Sequence, residues 1–257
     1  MARADDIEVR VADQVAWVTI NRPQRMNALA RATFAQLVEV SLELDQDPGV
    51  KVVVYTGAGE RAFSAGVDLK ELDAAGRMTH PMGGLARNLN EVVLEMATPT
   101  IAAINGVAAG GGCELALACD IRVAASTARI GLPEARVGMG ANFGSVVLPQ
   151  LIPRGVALEL LYTGELIDMA LVHRLGLVNH VFEPAELMAQ TAGLARRIAD
   201  NAPLSVQRMK AMAFKSIGLP TAAALRLSVG PDPYNSEDRL EGARAFVEKR
   251  KPRFQGR

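Results

Sequence analysis

The 257-residue chain holds two cysteines, three histidines, one tryptophan and only 4% aromatic residues. Cys113 and Cys119 show no metal-ligand spacing, and such sparse cysteine fits a reducing compartment. His80, His173 and His180 form no His-Glu-x-x-His or comparable cluster, so structural or surface roles are expected for them and no metal centre is. No run approaches the ~18 uninterrupted apolar residues of a membrane-crossing helix. Residues 1–10 carry Asp5, Asp6 and Glu8 with no apolar stretch, which matches neither a signal peptide nor a typical transit peptide. A cytoplasmic location is therefore expected. Charge of one sign is also lacking: Lys plus Arg and Asp plus Glu number 28 each. Zero net charge with few aromatics argues against a nucleic-acid binder held by phosphate contacts and stacking.

What the chain does have is ordinary globular substance. Its composition is 49% hydrophobic and 22% charged, and its length suffices for a sizeable core. Ile7 to Val11 and Val15 to Ile20 alternate and read as a hairpin across Asp13-Gln14. Arg31 to Leu44 has helical apolar spacing, and Lys51 to Thr56 reads as a buried strand ending at Gly57. Leu85 to Met96, Asn142 to Leu151, Val156 to Leu161 and Ala185 to Ala199 read as helices, with a strand at Val178 to Phe182. β and α segments alternate to about residue 195, which implies an α/β layered fold. Beyond it only helices are expected, over Pro203 to Ile217, Thr221 to Ser228 and Glu237 to Arg250. The segment Ala74 to Gly84 reads as a mobile surface stretch covering a site.

The chain is organised around Thr100 to Glu134. An apolar strand leads into Gly110-Gly111-Gly112-Cys113-Glu114, a small-residue helix follows, and a short hairpin is expected to return the chain to Gly131-Leu132-Pro133-Glu134. Glycines let a backbone approach a ligand closely. The first N–H groups of a helix are unpaired and favour an anion or a developing oxyanion. Glu114 and Glu134 flank this feature. A plain glycine turn, with Glu114 as a partner of the helix dipole, is the alternative. A second small-residue bend, Phe63 to Lys70, also leaves backbone N–H groups accessible, and Asp68 is placed to cap a helix there.

These residues carry a resemblance. Asn21-Arg22-Pro23 with Asn27-Ala28-Leu29, Phe63-Ser64-Ala65-Gly66-Val67-Asp68-Leu69 and Ala103-Ile104-Asn105-Gly106 come first. Gly110 to Leu115, Cys119-Asp120, Pro133-Glu134, Thr163-Gly164, Gly176-Leu177-Val178 and Glu241 to Phe246 follow in order along nearly the whole chain. Together they resemble the enoyl-CoA hydratase/isomerase (crotonase) superfamily. The resemblance implies an α/β spiral of ββα units over residues 1–195 holding a CoA-thioester site. It implies a helical oligomerisation region over 196–257, assembling a homotrimer or a dimer of trimers. The substrate would be an acyl-CoA thioester, with CoA as part of the substrate and no separate cofactor.

By position, the Ala65 and Gly111 N–H groups would form an oxyanion hole, and Glu114 and Glu134 would be the acid/base pair. Glu134 would exchange the C2 proton, and Glu114 would hold and activate water. Arg25, Met26, Ala28, Ala65, Gly66, Val67, Asp68, Leu69 and Gly111 would line the substrate and CoA pocket. The run Lys249, Arg250, Lys251 and Arg253 would face the CoA phosphates, in this subunit or a neighbour. One departure stands out: the loop after Glu134 carries Asn142-Phe143 where small residues are usual, with a narrower acyl pocket or a displaced water as the expected result. Hydration of a 2-enoyl-CoA to 3-hydroxyacyl-CoA is the expected activity. The alternatives are shift of a 3-ene to a 2-ene, or acyl-CoA binding without catalysis.

Overall fold

The computed structural model describes residues 6–71, 82 and 87–257. The segment Ala74 to Gly84, expected to cover the site, lies outside the described residues apart from Met82. Strands β1 (Ile7–Ala12) and β2 (Val15–Ile20) form the expected antiparallel hairpin, with Asp13 and Gln14 both at positive φ. That turn geometry matches the natural twist of paired strands. Helix α1 (Arg31–Gln46) leads to β3 (Val52–Gly57) and the short β4 (Ala62–Ser64). Helix α2 (Leu89–Glu95) precedes β5 (Thr100–Ile104), β6 (Val107–Ala109) and α3 (Gly111–Ala118). Then come β7 (Ile121–Ala125), β8 (Arg129–Gly131), α4 (Asn142–Leu151) and α5 (Arg154–Thr163). Next are β9 (Ile167–Asp168), α6 (Met169–Arg174), β10 (His180–Phe182) and α7 (Leu187–Ala199). The chain closes with α8 (Pro203–Lys215), α9 (Thr221–Ala224) and α10 (Glu237–Val247).

Two sheets result. The larger runs β1-β2-β3-β5-β7-β10 and is parallel beyond the first hairpin; the smaller runs β4-β6-β8-β9. Every residue of β3 and β5 is buried, which explains their unbroken apolar runs, since parallel strands are covered on both faces. Each pair of successive strands, β3/β4, β5/β6 and β7/β8, gives one strand to each sheet. This repeat is the ββα spiral. It also corrects the hairpin expected after Asp120. β7 and β8 do not pair with each other: β7 pairs with β5, and β8 with β6. The preceding unit leaves two open edges, and splitting the strands satisfies the backbone groups of both.

Helix α7 packs over β2, β3, β5, β7 and β10 through Leu187, Thr191, Ala195 and Ala199, a four-residue repeat on one face. It runs across residue 195, where the core was expected to end, so the exclusively helical part starts with α8. Arg122, buried on β7, sends its guanidinium to the carbonyl oxygens of Cys119 and Ala116 at the C-terminal end of α3. A cation there complements the helix dipole, and it anchors the helix whose opposite end faces the glutamates.

Candidate active site

The site is assembled from two loops and the start of α3. The first loop folds through Met26 and Asn27, both left-handed. Buried Asn27 pins it: its Nδ2 donates to the carbonyls of Ala58 and Ala62, and its Oδ1 accepts from the Arg22 amide. The second loop, after β4, lies against the first. The Ala65 N–H donates to the Met26 carbonyl at 3.0 Å, Leu29 N–H to Gly66 at 2.7 Å, and Asp68 N–H to Leu29 at 3.0 Å. Gly66 N–H is taken by the Ser64 hydroxyl. The amide left over is Val67, which donates to no acceptor among the described residues.

This corrects the expected donor. Ala65 spends its amide holding the two loops together, whereas Val67 and Gly111 keep theirs. Gly66 is why the bends can meet: it sits at φ +86°, and a Cβ there would fall 2.9 Å from the Gly111 nitrogen and 2.6 Å from the Ala109 carbonyl. Only glycine allows this contact. The second amide with no acceptor among the described residues is that of Gly111, which opens α3.

The carboxylates lie on the same feature. Glu114, in the first turn of α3, accepts from the Gly144 amide at 2.9 Å through Oε1 and from Asn90 Nδ2 at 3.3 Å through Oε2. Burial raises its pKa, while the amides of Gly144 and Phe143 and the Asn90 side chain oppose that rise. Glu134 is on a short 3-10 turn, Pro133–Val137, and is 9% exposed. Its Oε1 lies 3.3 Å from where a Cβ on Gly110 would be, and its Oε2 is buried without a hydrogen-bond partner among the described residues. Burial pushes its pKa up to about 7; a hydrogen bond from its own backbone N–H opposes this and the nearby Glu114 charge adds to it. One carboxylate is thus well supplied with donors and the other is starved of them. Environments that separate two pKa values in this way divide acid from base.

The family model for enoyl-CoA hydratase/isomerase matches residues 10–257. The chain belongs to the enoyl-CoA hydratase/isomerase family. It is 39% identical to a short-chain-enoyl-CoA hydratase of Clostridium acetobutylicum over 93% of each chain. It is 40% identical to an (E)-benzylidenesuccinyl-CoA hydratase of Thauera aromatica, covering 97% of this chain and 99% of that one. The crystal structure of enoyl-CoA hydratase from Mycobacterium tuberculosis superposes with a TM-score of 0.89 at 35% identity, covering 99% of this chain and 100% of that one.

Within this family member the expected pocket residues divide. Arg25 is exposed, Met26 half-buried, Ala28 buried, and Leu69 exposed, all on the two apposed loops. Asp68 is not a pocket group. Its carboxylate pairs with Arg22 at 3.2 Å and caps its own turn through Lys70 N–H, and Arg22 also reaches Asp6. In the basic run, Arg250 is held by Glu241 and Glu248, and Lys251 by Asp200. Those two charges are already neutralised. Phe143 buries its ring in the core while its amide faces Glu114, and Asn142 folds back onto the Gly140 carbonyl. The core and the loop thereby absorb the two larger side chains. The sequence marks Val67 as a pocket-lining residue but not as a free amide donor, and it gives no role to Asn90 or Gly144. Asn90 left one signal, a polar residue among Leu89, Val92 and Val93 on a buried helix face.

Proposed function

We propose that the protein is an enoyl-CoA hydratase that adds water reversibly across a 2-enoyl-CoA. The observation that carries this reading is the pair of unequal carboxylates, Glu114 and Glu134, set at two unpaired amides, Val67 and Gly111. The thioester oxygen accepts from both amides and gains charge as the β-carbon is attacked. One such donor is typically worth about 10²–10³ in rate. Glu114, whose carboxylate form is steadied by three donors, holds the water and takes one of its protons as the oxygen bonds C3. Glu134, protonated up to about pH 7, gives its proton to C2, and exchange with solvent restores both carboxyls. The route as written consumes no redox equivalent and needs no group beyond the CoA carried by the substrate.

The test is the loss of enoyl absorbance of crotonyl-CoA and longer 2-enoyl-CoAs with purified protein. No turnover across chain lengths rejects the reading. A second reading, a 3-ene to 2-ene isomerase, is favoured by one point: Glu134 alone, near neutrality, suffices to carry a proton between carbons.

The assembly is part of the proposal, as a homotrimer or a dimer of trimers. It is supported by exposed apolar side chains in the C-terminal region, among them Leu225, Phe246 and Val247, at 74%, 86% and 80%. Light scattering reads the mass directly. A cytoplasmic setting is supported by two free, buried cysteines. Among the described residues no helix is long and apolar enough to cross a membrane.

A further inference from the structure

Asn90 has two polar atoms, and only one of them is accounted for. The residue is 6% exposed, in a helix whose start is fixed two residues earlier by a reciprocal cap between Asn88 and Glu91. Its neighbours Leu89, Val92 and Val93 are buried core. A polar side chain among apolar ones is retained at a cost unless both its donor and its acceptor are used. The donor is used: Nδ2 meets Glu114 Oε2 at 3.3 Å. The acceptor is not: Oδ1 is buried without a hydrogen-bond partner among the described residues. Reversing the amide would set its oxygen against the Glu114 carboxylate oxygen, so the orientation with Nδ2 toward Glu114 is the one that pairs a donor with an acceptor.

A second orphan acceptor, Glu134 Oε2, belongs to the same site. Of the four buried side-chain oxygens without a partner among the described residues, two belong to residues that interact with Glu114, namely Asn90 and Glu134, and a small molecule bearing two O–H groups would supply what they lack. Water is such a molecule. When it adds to an enoyl thioester, its oxygen bonds C3, one O–H bond breaks and that proton passes to Glu114, and the other hydrogen stays on the new hydroxyl. Glu114 satisfies the first hydrogen. The second needs an acceptor that takes no proton, which describes an amide oxygen and not a carboxylate.

We propose that Asn90 is a positioning residue for the added water: Nδ2 orients Glu114, and Oδ1 holds the hydrogen that remains on the product's 3-hydroxyl. This rests on the hydratase reading above. The amide thus sets the direction from which the oxygen approaches C3, and it favours substrates whose β-carbon ends as an alcohol over those that only shift a double bond.

The experiment compares two reactions in the intact protein. Hydration of crotonyl-CoA needs the placed water. Exchange of the C2 hydrogens of butyryl-CoA with deuterated solvent needs only the amides of Val67 and Gly111 and the Glu134 carboxyl. Asn90→Leu, close in shape, is expected to lower kcat for hydration about tenfold to a hundredfold, the scale of a misplaced reacting group. KM should stay within about twofold and the exchange rate should match wild type. Asn90→Ser, whose hydroxyl can both donate and accept, should lose less than the leucine variant and serves as the test if that variant does not fold. Unchanged hydration in either folded variant overturns the inference. So does an equal fall in hydration and exchange, which would mark a merely structural residue. If the wild type exchanges C2 hydrogens but hydrates nothing, the hydratase reading fails and this inference with it; wild-type hydration with indifferent variants sinks the inference alone.

Discussion

The Ala65 amide donates to the Met26 carbonyl oxygen at 3.0 Å, and the amides without an acceptor among the described residues are those of Val67, two residues on, and Gly111. The same contact joins the two loops that carry the pocket. In the proposed hydratase shape and chemistry are therefore coupled: whatever loosens the loops also displaces the Val67 amide.

Gly111 offers a clean way to remove one donor. It is the first residue of α3, where proline is tolerated because its missing N–H would be unpaired within the helix anyway. A Cβ at this position meets nothing closer than 3.7 Å. Gly111→Pro should fold and lower hydration kcat/KM by about 10²–10³. Gly111→Ala keeps the N–H and should stay within about tenfold of wild type, since only a methyl group enters the site. Equal effects of the two substitutions would show that space, not the amide, matters there.

Glu134 makes a prediction about stability as well as rate. Its pKa rises from an ordinary value of 4.5 to about 7 in the fold. The folded protein therefore binds the proton more tightly than the unfolded chain, and stability from this group is fully present below 4.5. It is lost as pH climbs through about 7. Discounting for partial solvent screening, the loss is about 1–2 kcal/mol. Glu134→Gln, neutral at every pH, should match wild type near pH 4.5 and exceed it at pH 8 in urea unfolding. Hydration by the variant should drop about 10²–10⁴ at all pH values. Wild-type hydration should decline above pH 7, as the acid form disappears.

Much of this was legible beforehand, for a physical reason. The buried runs of β3 and β5, the Asp13-Gln14 turn and the glycines before Glu114 are local signals, each written in a few consecutive residues. β4, β6 and β8, each three residues long, are too short to show a period, so the second sheet was invisible and β7-β8 passed for a hairpin. The choice of Val67 over Ala65 depends on a hydrogen bond to Met26, far back along the chain in the first loop. Which amide is spent is decided between loops, not within one. Asp68 is similar: its partner Arg22 is 46 residues away, and an Asp in a small-residue bend looks like a cap or a ligand until that partner is placed.

The Arg22–Asp68 pair can be weighed by mutation. Both side chains are mostly buried, at 15% and 10% exposed, so the pair falls between an exposed bridge of about 0–1 kcal/mol and a buried one whose breakage costs about 3–5. Asp68→Ala should destabilise the fold by about 2 kcal/mol, midway between those limits. A double-mutant cycle with Arg22→Ala should give a coupling of about 1 kcal/mol, because Asp6 holds the guanidinium at 3.3 Å in either background. KM for acyl-CoA should rise, since the tie spans both pocket loops. A zero coupling energy would assign the two residues independent roles.

Glu114→Gln separates the two reactions the family name joins. The amide side chain still accepts from Gly144 through an oxygen, so the loop stays in place, but it can neither take a proton from water nor orient it as an anion does. Hydration of crotonyl-CoA should fall about 10²–10⁴, the usual worth of a general base. Moving a 3-ene to a 2-ene requires a proton to leave one carbon and reach another, which Glu134 can do alone from its starved, near-neutral position. Isomerisation should therefore survive within about tenfold. Measuring both rates on one preparation decides how the carboxyls share the work. If isomerisation collapses along with hydration, Glu114 shapes the thioester enolate itself, and the division of labour drawn from the two hydrogen-bond environments is wrong.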